Sequence, residues 1–271
     1  AREKYEKLGA EIAAAENAEE QKIAADNLMT YQYNYVDHAD DAITVTNIYS
    51  ETGEALTIPL DRRLSIIQNM QAYYKKYDKL KRAQKLLAVQ QDACRANIRH
   101  LESIEASLDS STRLAEIAEI QEELIASGYL HEKMPKKNKD RRAQPFSFTA
   151  PDGMTILVGK NNMQNDALTF RTAAPTDLWL HVRDIPGSHV ILRTGGAAPS
   201  EETLHLAAQI AAHFSKARGS STVPVDYTVI RFVKKPSGAV PGFVRFTHEK
   251  TLFVTEDEEA LTPILAQDPT V

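Results

Sequence analysis

Asp177-Leu-Trp-Leu-His-Val-Arg-Asp-Ile-Pro-Gly-Ser-His-Val190 opens with a strict two-residue alternation. In a strand, that period sends Leu178, Leu180 and Val182 to one face and Trp179, His181 and Arg183 to the other. The aliphatic face is core. The other carries an indole, an imidazole and a guanidinium, the groups that stack on an unpaired base and grip a phosphate. A structural alternative packs Trp179 under a helix and lets His181 bond Asp177 or Asp184. Pro186-Gly187 makes the turn in either case, and Ser188 with the backbone N–H of His189 offers a phosphate cradle. Should Trp179 be buried, the binding surface moves to the stretch 133–142 and the loop 234–242.

Around this strand the grammar is one of short β segments, expected over 154–158, 189–193, 225–233, 243–246 and 252–254. A single helix interrupts them. It starts at the N-cap Ser200, runs through Leu204, Ala208, Ile210 and Phe214, and stops at Gly219. Lys216 and Arg218 satisfy the dipole at its end. Strands with one inserted helix and no repeating βαβ unit predict a compact α+β domain over 146–255. Within it, ahead of the 177–190 stretch, Gly159-Lys-Asn-Asn-Met-Gln-Asn-Asp166 brings together Lys160, Asn161, Asn162, Gln164 and Asn165. Amides that both donate and accept suit base edges and ribose hydroxyls, and equally suit a polar loop that bonds to itself. Lys234 and Lys235 begin a basic Pro/Gly-rich loop on a rigid scaffold, where contact with a partner is expected.

Upstream the periodicity becomes helical. Leu8, Ile12, Ala15, Ile23, Leu28 and Tyr31 recur at three- and four-residue steps between residues 2 and about 37. Leu80, Leu87, Cys94, Leu101 and Leu108 recur every seven, which is the coiled-coil seam, with polar Gln84 and Gln91 beside it. About 48 residues at about 1.5 Å each make a rod of about 70 Å. Two β-branched runs, 42–49 and 55–58, flank a turn at Gly53 and predict a hairpin where the two helices fold back on each other. The expectation is an antiparallel helical arm over 1–128. It includes a third helix from Ser111 to Gly128, then a basic linker over 129–145 and an acidic tail over 256–271.

The 271 residues are 42% hydrophobic and 25% charged, enough apolar material for packed cores. No run of uncharged apolar residues is long enough to span a membrane. One cysteine forms no internal disulfide, and no Cys/His cluster has zinc-site spacing. His205 and His213, eight apart on one helix, lack the further ligands a metal requires. The chain begins Ala1-Arg-Glu-Lys4 inside a helical pattern, so its natural start is expected upstream. The net charge of −5 hides a segregation. Residues 1–132 hold 15 Lys/Arg against 23 Asp/Glu, residues 133–250 hold 17 against 9, and residues 251–271 hold none against 5. Lys133, Lys136, Lys137, Lys139, Arg141 and Arg142 open the basic stretch. Such an excess is the footprint of a surface that meets phosphate. No phosphate-binding P-loop, nucleophile–base set or carboxylate pair marks a catalytic centre, so no enzyme and no cofactor is expected.

Gly159–Asp166, Asp177–Val182 with Pro186–Val190, Val225–Thr228 and Val233–Pro236 with Pro241-Gly242 resemble the C-terminal NFACT-R domain. This is the family of ribosome-associated quality control factors, some streptococcal members of which are named fibronectin-binding proteins. Ile58-Pro-Leu-Asp61 and Tyr74–Lys81 are similar to the family's middle coiled coil. The resemblance implies a cytoplasmic protein that binds the large ribosomal subunit and its rRNA around a stalled peptidyl-tRNA and supports template-free alanine tailing. Contact with tRNA would lie in a further N-terminal region. Peptide bonds would be made by the ribosome. The competing class it implies is a cell-surface adhesin for fibronectin or fibrinogen.

Overall fold

In a computed structural model the described residues are 1–35, 40–132 and 143–268. The protein is α+β and divides into two compact units, Ala1–Ile98 and Arg99–Val271.

In the first unit, α1 (Arg2–Ala14) and α2 (Ala18–Tyr31) run antiparallel to the first part of α3 (Ile66–Ser110). Ascending positions on one side meet descending positions on the other. Asp26 accepts from the Tyr74 hydroxyl (2.5 Å), Glu19 pairs with Lys81 (2.6 Å), the Ala15 carbonyl accepts from Gln84 (2.7 Å), and the Tyr5 hydroxyl accepts from Arg95 (2.6 Å). The expected single helix over 2–37 is therefore broken at residues 15–17, and Gln84, a polar residue of the seam, bonds the carbonyl freed at the break. At the other end β1 (Ala42–Thr46) pairs with β2 (Ala55–Pro59), and Ile43, Val45 and Ile58 pack with Leu28 and Ile66.

The seven-residue seam is kept only in part. Cys94 is buried and Leu80 and Leu87 half-buried, but Leu108 is 48% exposed. From Arg99 onward α3 belongs to the second unit, where His100 and Ile104 are buried instead, so antiparallel pairing with α1 and α2 does not extend to residue 128. The third helix, α4 (Leu114–Ala126), also lies in this unit. It starts later than expected. Ser111 bonds back to the Ser107 carbonyl, while the Glu116 carboxylate accepts from the N–H groups of Thr112 and Arg113. Gly128 follows it with φ +76°, as its place after a helix end requires. The six cations of 133–142 lie outside the described residues.

The second unit is built on one antiparallel sheet in the order β10-β7-β5-β6-β4-β3. Its strands are β3 (Phe146–Thr149), β4 (Thr155–Val158), β5 (Leu178–Val182), β6 (Val190–Arg193), β7 (Val223–Val229) and β10 (Lys250–Val254). One face carries Leu180, Val182, Val190, Leu192 and Val225, covered by α6 (Glu201–His213) and α7 (Glu258–Leu265). Residues 256–271, read as an acidic tail, thus contain a helix whose Leu261 and Ile264 are buried in the main core.

The opposite face is also covered. Trp179 and Ile191 pack under Leu168, from the π-helical turn Leu168–Thr172 that follows α5 (Asn162–Ala167), Ile230, from the 3-10 turn Ile230–Phe232, and Val233, from a ribbon of β8 (Val233–Lys234) and β9 (Arg245–Phe246). This corrects the expectation that the Trp179 face of β5 is open.

Candidate nucleic-acid interface

The alternation of β5 holds, but both faces are interior over most of its length. Trp179 is 1% exposed, stacked 5.7 Å from His181 and in tilted contact, at 4.8 Å, with Phe246. Its indole N–H has no hydrogen-bond partner among the described residues. His189 meets the edges of both Trp179 and His181, and one ring nitrogen lies 2.8 Å from the Thr169 hydroxyl. Burial and the neighbouring His181 push the His189 imidazole down to about 3, and desolvation also lowers His181. Both rings are neutral at pH 7, which suits stacking in a core and removes them from phosphate binding.

Arg183 reaches the open end of the face, but its guanidinium is engaged. Nε and Nη2 donate to the two carboxylate oxygens of Asp226 (3.0 and 2.7 Å), and Nη2 also donates to the Thr251 hydroxyl. Asp226 stands opposite His181 on β7, which brings its carboxylate onto the Trp179 side of the sheet. Phe253, 65% exposed on β10, stands opposite Pro224, and Pro224 is bonded across to the Arg183 backbone.

The 159–166 segment forms an internal polar lock. Asn161 caps α5 and donates to Glu119 (2.7 Å), and Gln164 donates to Glu119 (2.8 Å) and to the Ala143 carbonyl (2.9 Å). Asn162 donates to Ser103 and Glu123, both at 2.8 Å, and Glu123 also accepts from His100 at 2.9 Å. Asn165 accepts from the His189 backbone N–H (3.0 Å), and the Ser188 hydroxyl donates to the Gly159 carbonyl (2.6 Å). Lys160 pairs with Glu116 at 3.0 Å beneath the Phe146 ring. Glycine is required twice by this closeness: a Cβ on Gly159 would lie 2.1 Å from Asn165 Oδ1, and one on Gly242 2.4 Å from Asn162 Oδ1. Of the two readings the sequence left open, the self-bonding one holds in part: Asn161 and Gln164 accept from N–H groups of their own loop, but the amide donors go mainly to Glu119 and Glu123 of α4. They tie β4 and α5 to α4 and to the end of α3.

Lys234 and Lys235 remain at the surface, the latter paired with Asp166. Around them the fold gathers cations that no motif singled out. Arg193 follows Ile191 on β6 and so points to the Trp179 side, while Arg171, Arg231 and Arg245 are exposed on the elements that cover it. Arg245 was legible in principle, two residues beyond exposed Phe243 and beside inward Phe246. A cleft of about 1260 Å³ opens between α4 and the π-helical turn, lined by Arg171, Arg193 and Lys235 but equally by Glu119, Glu122 and Asp166. Arg193 also lies 3.8 Å from Asp177, so among the described residues the uncompensated cations of this side are Arg171, Arg231, Lys234 and Arg245. The α6/α7 side instead carries Glu201, Glu202, Glu256, Asp257, Glu258 and Glu259. The unit therefore has a basic side and an acidic side, the arrangement that orients a protein on a polyanion.

Among the described residues no helix is long and apolar enough to cross a membrane, and no three His, Cys, Asp or Glu are grouped to hold a metal. Residues 1–143 match the model of the NFACT N-terminal and middle domains, and residues 144–246 that of the NFACT protein RNA binding domain. The chain is 41% identical over 261 residues to the Rqc2 homolog RqcH of Bacillus subtilis and 43% identical over 261 residues to that of Streptococcus suis. These alignments cover 95% and 96% of this chain but 45% and 46% of the relatives, so it spans about half their length. The solved C-terminal region of the fibronectin/fibrinogen-binding protein from Streptococcus suis is similar, with TM-score 0.72 and 37% identity over 97% of this chain and 91% of that one. With family models spanning both units and a solved relative of the same fold, the chain belongs to the NFACT family.

Proposed function

We propose that this chain is the coiled-coil and RNA-binding portion of a cytoplasmic ribosome quality control factor, and that it contacts rRNA of the large subunit carrying a stalled peptidyl-tRNA. The observation that carries this reading is the segregated cationic side of the second unit, lying within the match to an RNA-binding domain. Likeness to proteins named Rqc2 homologs supports the ribosomal setting. In this reading the chain is not an enzyme: alanine tailing is carried out by the ribosome's own peptidyl-transfer chemistry, and tRNA is held by a region outside this sequence. The polar groups nearest to a catalytic constellation, His100, Glu123, Asn162 and Ser103, are spent on holding α3, α4 and α5 together.

A second reading, binding of fibronectin or fibrinogen, is favoured by the solved relative's name alone. Co-sedimentation of the chain with purified large subunits, beside its retention on immobilised fibronectin at the same salt, separates the two. The proposal expects binding to subunits that weakens with salt. Retention on fibronectin with none on subunits contradicts it.

A further inference from the structure

In the β8/β9 ribbon, Val233 stands opposite Phe246 and Lys234 opposite Arg245. Val233 and Phe246 turn inward onto the Trp179 layer, so the two-residue period sends Lys234 and Arg245 outward. Both are exposed, and neither has a hydrogen-bond or ion-pair partner among the described residues. Like charges directly opposite each other across a ribbon repel, so this pair weakens the element that carries it. The neighbouring cation is treated differently, since Lys235 is paired with Asp166. Arg231, also exposed, lies over Phe232 at 4.9 Å, and Phe232 stacks on His248 at 4.2 Å, fixing the chain where it leaves β9. Exposed Phe243, two residues before Arg245, adds a ring on which a base can stack.

We propose that Lys234 and Arg245, flanked by Arg231, form a binding site for the phosphodiester backbone of RNA. The proposal rests on the RNA-binding reading above and names the place. A phosphate between the two cations turns their repulsion into shared attraction, and the ribbon's anchoring on Trp179 presents them as a fixed pair.

The test uses the whole chain, rRNA extracted from large subunits, and a titration from about 50 to about 200 mM salt. One variant carries Lys234→Gln with Arg245→Gln, and a control of equal charge change carries Lys216→Gln with Arg218→Gln at the end of α6. Loss of two phosphate contacts lowers the slope of log affinity against log salt by about 1.4 to 1.8, about a tenfold smaller loss of affinity over that range. The expected result is that change in the ribbon variant only, with an unchanged or higher melting temperature because the repulsion is gone. Wild-type affinity and slope in the ribbon variant overturn the proposal while leaving RNA binding intact. A lowered melting temperature accompanying the loss also overturns it, by making the pair part of the packing. If the unaltered chain shows no salt-dependent RNA binding, the underlying reading fails and this site with it.

Discussion

At the scale of single residues, the titration of His189 gives the clearest expectation. Its imidazole is pushed down to about 3 in the folded chain, mainly by burial, whereas an unfolded histidine titrates near about 6.5. Between those values the unfolded state binds the extra proton, so stability is complete above the unfolded value and falls as pH drops below it. Lowering the pH from about 7 to about 5 is expected to cost about 1 to 2 kcal/mol through this residue. Thermal melts of His189→Gln should show a flatter pH dependence over that interval, and a profile parallel to that of the unaltered chain would contradict the assignment. Arg183 makes a second case. Removing it leaves the buried Asp226 carboxylate with the Thr251 hydroxyl and without its cation. Because the guanidinium is itself partly in water, Arg183→Ala is expected to lower stability only modestly, with RNA binding little changed. Denaturant titration beside an RNA-binding isotherm tells the two effects apart.

At the scale of elements, β5 shows how far a sequence reading reaches. The alternation of 178–183 placed every side chain on its observed face. It was silent about whether the second face was covered, because cover came from distant segments with weak local signals: one π-helical turn, one 3-10 turn and a ribbon of two-residue strands. The Asn-rich loop was undetermined for a related reason. Amides that read a base and amides that bond a carboxylate look alike until Glu119 and Glu123 are seen to face them. The helical seam was legible where α1 and α2 accompany α3, through Cys94, and misleading at Leu108, where the periodicity continues after the partner has changed. Trp179→Ala should therefore destabilise the sheet by about 3 to 5 kcal/mol as a core truncation. Trp179→Phe should cost clearly less, since the indole N–H makes no bond to lose. Equal losses for the two substitutions, measured by chemical denaturation, would contradict the placement of the ring in the core. Gly242→Ala, at φ +77° and against Asn162, should also destabilise, by about 1 to 3 kcal/mol.

At the scale of the whole molecule, the net charge of −5 describes neither its cationic nor its acidic side. An acidic helical part and the α6/α7 side balance a cationic side assembled from the π-helical turn, β6 and the β8/β9 ribbon. The regional excess over 133–250 was readable from sequence, but its layout was not, because Arg171, Arg193, Arg231 and Arg245 come together only through the fold. Backbone binding of this kind releases counterions, so affinity should fall steeply with salt whatever the RNA sequence. The most direct measurement is the affinity of the chain for large-subunit rRNA across a salt series. A log–log slope of about −2 or steeper is expected from three or more phosphate contacts; a slope near zero, or no binding even at the lowest salt, would contradict the assignment of the cationic side to RNA.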